Sequence, residues 1–213
     1  MEKCTLYGHT HLFSLQSRRI MELLRRHDPH AFVHSVQTTS YFIDFCLHYN
    51  FRSLLKRPFL ESVLLHDIGK LLVPTEILQK KSPLTLYEKE YVEQHPEFGI
   101  ELLNDFPEID IEPSLILNHH ENNDGTGYPY QLHDEQIPRS VSILRVIDSY
   151  IAMTSDRAYR PKHSDQLAIQ EIHAHRNNFY EPYTTSLFIS YLEKRLKGKK
   201  ILLHYFDYAK RQN

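Results

Sequence analysis

Four short stretches concentrate imidazoles, carboxylates and glycines: HDIGK (66–70), HPEFG (95–99), HHE (119–121) and DGTGYP (124–129). His34 lies upstream of them, and Asp148 lies downstream inside RVIDSYIAM (145–153). An aspartate in so apolar a run is costly unless it is paired or bound to metal. Capping, or an ion pair with Arg145, are the ordinary alternatives. His34, His66, His95, His119 and His120 with Asp67 and Asp148 make five imidazoles and two carboxylates. Such an oxygen and nitrogen set without thiolate suits octahedral iron(II) or manganese(II) better than structural zinc. Seven ligands exceed what one metal with open positions needs, and they suffice for two metals sharing a bridging carboxylate. Two metals about 3.5–4 Å apart are a known device for phosphoester hydrolysis: they acidify a bridging water and neutralise phosphoryl charge.

In their order, His34, His66-Asp67, His95, His119-His120 and Asp148 resemble the HD superfamily of metal-dependent phosphohydrolases. HDIGK, HPEFG, HHE and DGTGYP together are similar to the HD-GYP family, over about Asp28 to Tyr183. DRAYR (156–160) also matches the family's segment after the last aspartate. That resemblance implies an all-α HD-domain helical bundle with a metal centre in its core, and hydrolysis of cyclic di-GMP to pGpG or GMP. It implies that His34, His66, Asp67 and Asp148 hold a first metal and that His95, His119 and His120 hold a second, with Asp67 bridging. By the same resemblance Lys70 meets a phosphate oxygen and assists the leaving group. Gly127, Tyr128 and Pro129 shape the pocket wall, and Arg157 and Arg160 contact phosphates and guanines. Arginine suits both tasks, through bidentate hydrogen bonding and stacking.

Some family members place a glutamate four residues before the first histidine, where it helps to bind a third metal. His30 stands there in this chain, one helical turn from His34, and is the candidate contributor to a third site. Relatives commonly carry a receiver or sensory domain ahead of this module, and the stretch before Asp28 is too short for one. Two other functions compete with the enzyme: a cyclic di-GMP receptor or protein-docking module without turnover, and an HD phosphohydrolase for another cyclic dinucleotide.

These motifs need a scaffold. Hydrophobic residues make up 41% of the 213 positions, which suits a packed core. The formal net charge of −2 gives no reason to expect DNA or an anionic membrane as partner. No run is apolar and long enough to span a bilayer, and MEKCTLYGHTHLF lacks a signal-peptide core. Cys4 and Cys46 are too few for a disulfide framework, so the expected location is a reducing cytoplasm. A homodimer or a signalling protein as partner stays open. The chain has fifteen histidines, about three times the usual usage. His9, His11, His27, His48, His133, His163, His173, His175 and His204 belong to no motif and are expected at the surface or behind the ligands.

Helical spacing recurs in residues 13–27, 31–51, 113–121, 139–155, 164–176 and 183–196, and 59–73 reads as a buried helix followed by a glycine break. Asp28-Pro29 is a cap followed by a first-turn proline. Residues 85–106 contain a proline and read as two helices or one kinked helix. KILLHYFDY (200–208) reads as a last helix or as the one strand. No repeat, low-complexity linker or charge block divides the chain. One domain is expected, with an N-terminal segment 1–28, a metal-binding core 29–163 and C-terminal helices 164–213.

Overall fold

The computed structural model describes residues 12–155 and 162–210. Its regular elements are helical throughout the described residues, apart from an isolated bridge between Asp124 and His133. The helix α1 (Leu15–His27) is capped by Ser14, whose Oγ accepts the Ser17 N–H at 3.0 Å. Asp28 ends α1 and starts α2 (Pro29–His48): its N–H goes back to Leu24 O, and its carboxylate accepts the N–H groups of His30 and Ala31. Pro29 fills the first turn, where its missing N–H costs nothing. This is the cap read from the sequence.

The helix α3 (Arg57–Leu65) packs on α2 and ends one residue before the His-Asp pair. The chain then tightens into a 3-10 turn over Ile68–Leu72, around the glycine at which the sequence reads a break. Gly69 explains the change. A Cβ there would lie 1.9 Å from the His95 carbonyl oxygen and 2.5 Å from Gly99 N. Backbone meets backbone at this crossing, so only glycine fits. The short α4 (Thr75–Leu78) follows. Residues 85–106 form two helices, α5 (Leu86–Val92) and α6 (His95–Leu103). Pro96 sits in the first turn of α6, where it starts a helix rather than kinking one.

The helix α7 (Pro113–Leu117) is shorter than the periodicity suggests, and His119-His120 lie in the turn beyond it. The helix α8 (Arg139–Thr154) is the central rod. Val141, Ile143, Leu144, Val146, Ile147 and Ile151 are buried around it, and it packs on α2, α7, α9 (Asp165–Ala174) and α10 (Pro182–Lys210). The apolar side chains of α8 contribute about 1.5–3 kcal/mol each in gross burial. That burial holds Asp148 in a dry place. The last two expected segments are one element, α10 (Pro182–Lys210), and the reading of 200–208 as a strand is corrected. Lys197, Gly198 and Lys199 lie between them, and the one glycine costs about 1 kcal/mol in a helix, too little to end it.

Candidate metal centre

His66, His95 and His119 come from three different elements and share one local device. Each ring places Nδ1 2.8 Å from the carbonyl oxygen three residues earlier: Val63, Val92 and Ile116. A carbonyl only accepts, so each Nδ1 carries the proton. In the neutral ring each Nε2 then presents a lone pair. Those lone pairs converge. The Nε2 atoms of His95 and His119 lie 3.2 Å apart, and His66 Nε2 is buried with no hydrogen-bond partner. Facing lone pairs repel, and a buried unpartnered nitrogen is costly. A cation between them removes both penalties. The donor set and its tautomers therefore fit a divalent metal.

Two groups have ligand atoms within 4.8 Å of one another: Asp67, His95, His119 and His120, and His34, His66 and Asp67. Asp67 belongs to both, and its two oxygens divide between them. Oδ1 lies 3.3 Å from His95 Nε2 and 3.8 Å from His119 Nε2. Oδ2 lies 3.7 Å from His66 Nε2, 3.9 Å from His34 Nε2 and 2.6 Å from Lys70 Nζ. Asp148 completes the second group from α8. Its Oδ1 is 2.6 Å from His34 Nε2 and 3.6 Å from His66 Nε2. The alternative pairing of Asp148 with Arg145 is not seen, since Arg145 turns to Asn122 and Ser149.

The electrostatics suit cation binding. Burial would raise the Asp67 carboxyl, but Lys70 and then His66 and His95 hold it well below the usual carboxylate range. Asp148 is likewise held low against its burial, by His34 and His66. Burial pushes His95, His119 and His120 below the ordinary imidazole range, and neighbouring charges add to this for His119 and His120. These three rings are neutral at pH 7, as metal ligands must be. His66 goes the other way: burial opposes its charge, and Asp67 and Asp148 outweigh it.

The DGTGYP stretch folds back over this cluster. A Cβ on Gly127 would lie 2.3 Å from Asn122 N and 2.5 Å from His120 O, so the loop presses on the histidine backbone. Gly125 takes a φ of 77°, open to glycine at no steric cost. Tyr128 stacks on His120 with ring centroids 4.8 Å apart, and a cis peptide joins it to Pro129. Glu121 stands in the HHE motif, where the sequence alone points to no task for it. It is buried, and its carboxylate accepts the N–H of Tyr130 at 2.7 Å and of Leu132 at 3.1 Å. It pins the loop from beneath. Its position next to two histidines and ahead of a glycine loop was the available signal.

His30 is exposed one turn before His34 and belongs to neither group. Arg157 and Arg160 lie outside the described residues. Of the unassigned histidines, His27 packs its Nε2 2.9 Å from Val73 O, His175 stacks on Phe179, and His173 is exposed.

A model of the HD domain family matches residues 18–183. The chain belongs to the HD domain family. Among curated proteins, this HD domain is 35% identical over 167 residues to a cyclic di-GMP phosphodiesterase of Pseudomonas aeruginosa, covering 78% of this chain and 40% of that one. It is 37% identical over 134 residues to a cyclic di-GMP phosphodiesterase of Thermotoga maritima, covering 62% of this chain and 36% of that one. A 3'3'-cGAMP-specific phosphodiesterase of Vibrio cholerae is 30% identical over 132 residues, with 61% and 25% covered. The HD domain thus spans 25–40% of the length of these relatives. A solved HDGYP protein from Bdellovibrio bacteriovorus shares the fold, with a TM-score of 0.59 at 15% identity over 76% of this chain and 52% of that one. The all-α HD fold expected from the motifs is the fold observed. No helix of the described residues is long and apolar enough to cross a membrane.

Proposed function

We propose that this HD domain is a metal-dependent phosphodiesterase that hydrolyses cyclic di-GMP. The observation that carries the proposal is Asp67, whose Oδ1 faces one histidine group while Oδ2 faces the other. A carboxylate so placed suits a two-metal site. In this reading His34, His66, Asp67 and Asp148 hold one divalent ion, His95, His119 and His120 with Asp67 hold the other, and iron or manganese matches the donor set. When bound, the pair supplies Lewis acidity and an acidified water for attack on phosphorus.

The side chains do the rest. The Nδ1–carbonyl bonds fix three ligand rings before substrate arrives, so no reorientation is needed during reaction. Lys70 Nζ, only partly covered beside Asp67, can turn one N–H to a non-bridging phosphoryl oxygen as negative charge grows there. Tyr128 and Pro129 form a wall against which a guanine base can rest, and the buried Glu121 keeps that wall in place. Arg157 and Arg160 are assigned to the phosphates and bases. Water loses a proton and adds to phosphorus, the bond from phosphorus to the 3′ oxygen breaks, the 3′ oxygen takes up a proton, and the linear product is pGpG, or GMP after a second cleavage. The relatives' names support cyclic di-GMP as substrate.

Anaerobic purification, metal analysis and incubation with cyclic di-GMP under chromatographic detection test this reading. About two equivalents of iron or manganese with pGpG or GMP appearing is the expected result. A third equivalent would bring His30 into the site. Bound metal with intact cyclic di-GMP would point to a receptor, or to another cyclic dinucleotide if 3'3'-cGAMP is cleaved instead.

A further inference from the structure

Of the three histidines in its group, His120 alone lacks the carbonyl bond that fixes His95 and His119. Its ring is held by contacts: stacked on Tyr128, edge-on to His95 at 5.0 Å, and 4.1 Å from His119. Its orientation therefore depends on where the following loop sits. That loop is tied to α8 by the Arg145 side chain.

Arg145 stands one turn before Asp148 on α8. Its Nε and Nη2 both donate to Asn122 Oδ1, at 3.2 and 2.8 Å, and Nη1 donates to Ser149 Oγ at 2.7 Å. The Tyr180 ring lies 5.5 Å beneath its Cζ. The guanidinium is thus held from three directions and cannot swing freely. Asn122 follows His120 by two residues and passes the restraint onward. Its Nδ2 donates to Thr126 Oγ1 at 3.0 Å, and Thr126 Oγ1 and N donate to Asp124 Oδ1. Its carbonyl accepts the Gly125 N–H at 2.9 Å, and its own N–H lies under Gly127. One path of hydrogen bonds runs from the helix bearing Asp148 to the loop bearing Tyr128.

We infer that Arg145 and Asn122 form a clasp that sets the position of His120, which makes Arg145 a positioning residue for one half of the metal centre. The inference rests on the two-metal reading of the site. The clasp joins the scaffolds of the two groups without touching either set of ligand atoms. Its loss should therefore weaken the group containing His120 and spare the one containing His34 and Asp148. Only an arginine fork can reach Asn122 and Ser149 together, so lysine should replace it poorly.

The test uses the full chain and manganese(II) as probe, with equilibrium dialysis and thermal unfolding of each variant. The wild type should take up two ions. Arg145→Ala and Asn122→Ala should each keep one ion with unchanged affinity and bind the second about 10–100-fold more weakly, as loss of an outer support does elsewhere. Asn122→Asp keeps the acceptor oxygen for Arg145 but loses the Nδ2 donor to Thr126, so it should bind the second ion more tightly than Asn122→Ala and more weakly than the wild type. The double variant should be no worse than either single one, because both break the same link. If Arg145→Ala fails to fold, Asn122→Ala and Asn122→Asp decide the matter. Two ions at wild-type affinity in the alanine variants would overturn the clasp, and so would equal loss of both ions or additive losses. A wild type that takes up fewer than two ions would instead overturn the two-metal reading itself.

Discussion

The Nε2 atoms of His95 and His119 face each other at 3.2 Å while both Nδ1 atoms donate to carbonyls of their own segments. Neither Nε2 carries a proton in the neutral rings, so they cannot bond to one another. This repulsion is built into the fold, because each ring is locked by its own backbone. Chelation should therefore destabilise the protein. A metal at 100 times its dissociation constant adds about 2.7 kcal/mol per site to folding stability. Unfolding scans of the chelated and manganese-loaded protein should differ by several degrees, and coincident scans would remove the metal from the account of this cluster.

Asp67 serves both histidine groups, so no neighbour can replace it. Asp67→Ala should abolish phosphodiesterase activity by more than the 10–100-fold typical of an outer support, roughly 1000-fold or beyond. His173→Ala, at an exposed position on α9, should leave it unchanged. Initial rates of product release at saturating metal measure both. Retained activity in Asp67→Ala would sink the mechanism.

Gly69 lets the turn after the His-Asp pair lie against α6. With His95 O 1.9 Å from any Cβ, Gly69→Ala must push apart two segments that carry candidate ligands. A loss of about 3 kcal/mol or more is expected, at the upper end for overpacking, together with weaker metal uptake. Gly198→Ala meets nothing within 4 Å and sits inside α10, so it should stabilise by about 0.5–1 kcal/mol. Urea unfolding of the two variants provides the contrast. A neutral Gly69→Ala would mean that the crossing is looser than described.

Glu121 accepts two backbone N–H groups of the segment after the GYP tripeptide. Glu121→Ala leaves them without a partner, at a cost of about 1–3 kcal/mol for each group that stays buried. The loop should loosen and KM for cyclic di-GMP should rise more than kcat falls, since the ligand set is untouched. Steady-state kinetics with a thermal scan check this. An unchanged KM would separate the loop from the substrate.

The fold class and the candidate metal-ligand residues were legible in the sequence by itself. Histidine and aspartate types in order along helical segments mark a set that could hold metal, and 3.6-residue periodicity is a local property that needs no tertiary contact to be read. The cap at Asp28 and the helix start at Pro96 are local in the same sense. Helix ends were less legible. The glycine break after His66-Asp67 was read from the sequence, but the contact that requires it, Gly69 against His95 O, joins distant residues. The helix α7 stops at Leu117, and the next turn places His119 Nδ1 on Ile116 O while Glu121 takes up loop N–H groups. Neither fact is visible in a one-dimensional pattern. The division of Asp67 between two groups, the pairing of Asp148 with His34 across 114 residues, and the link from Arg145 to Asn122 were decided only by packing. Ligand identity is written in side-chain type, whereas which oxygen meets which nitrogen depends on how α2, α6 and α8 cross.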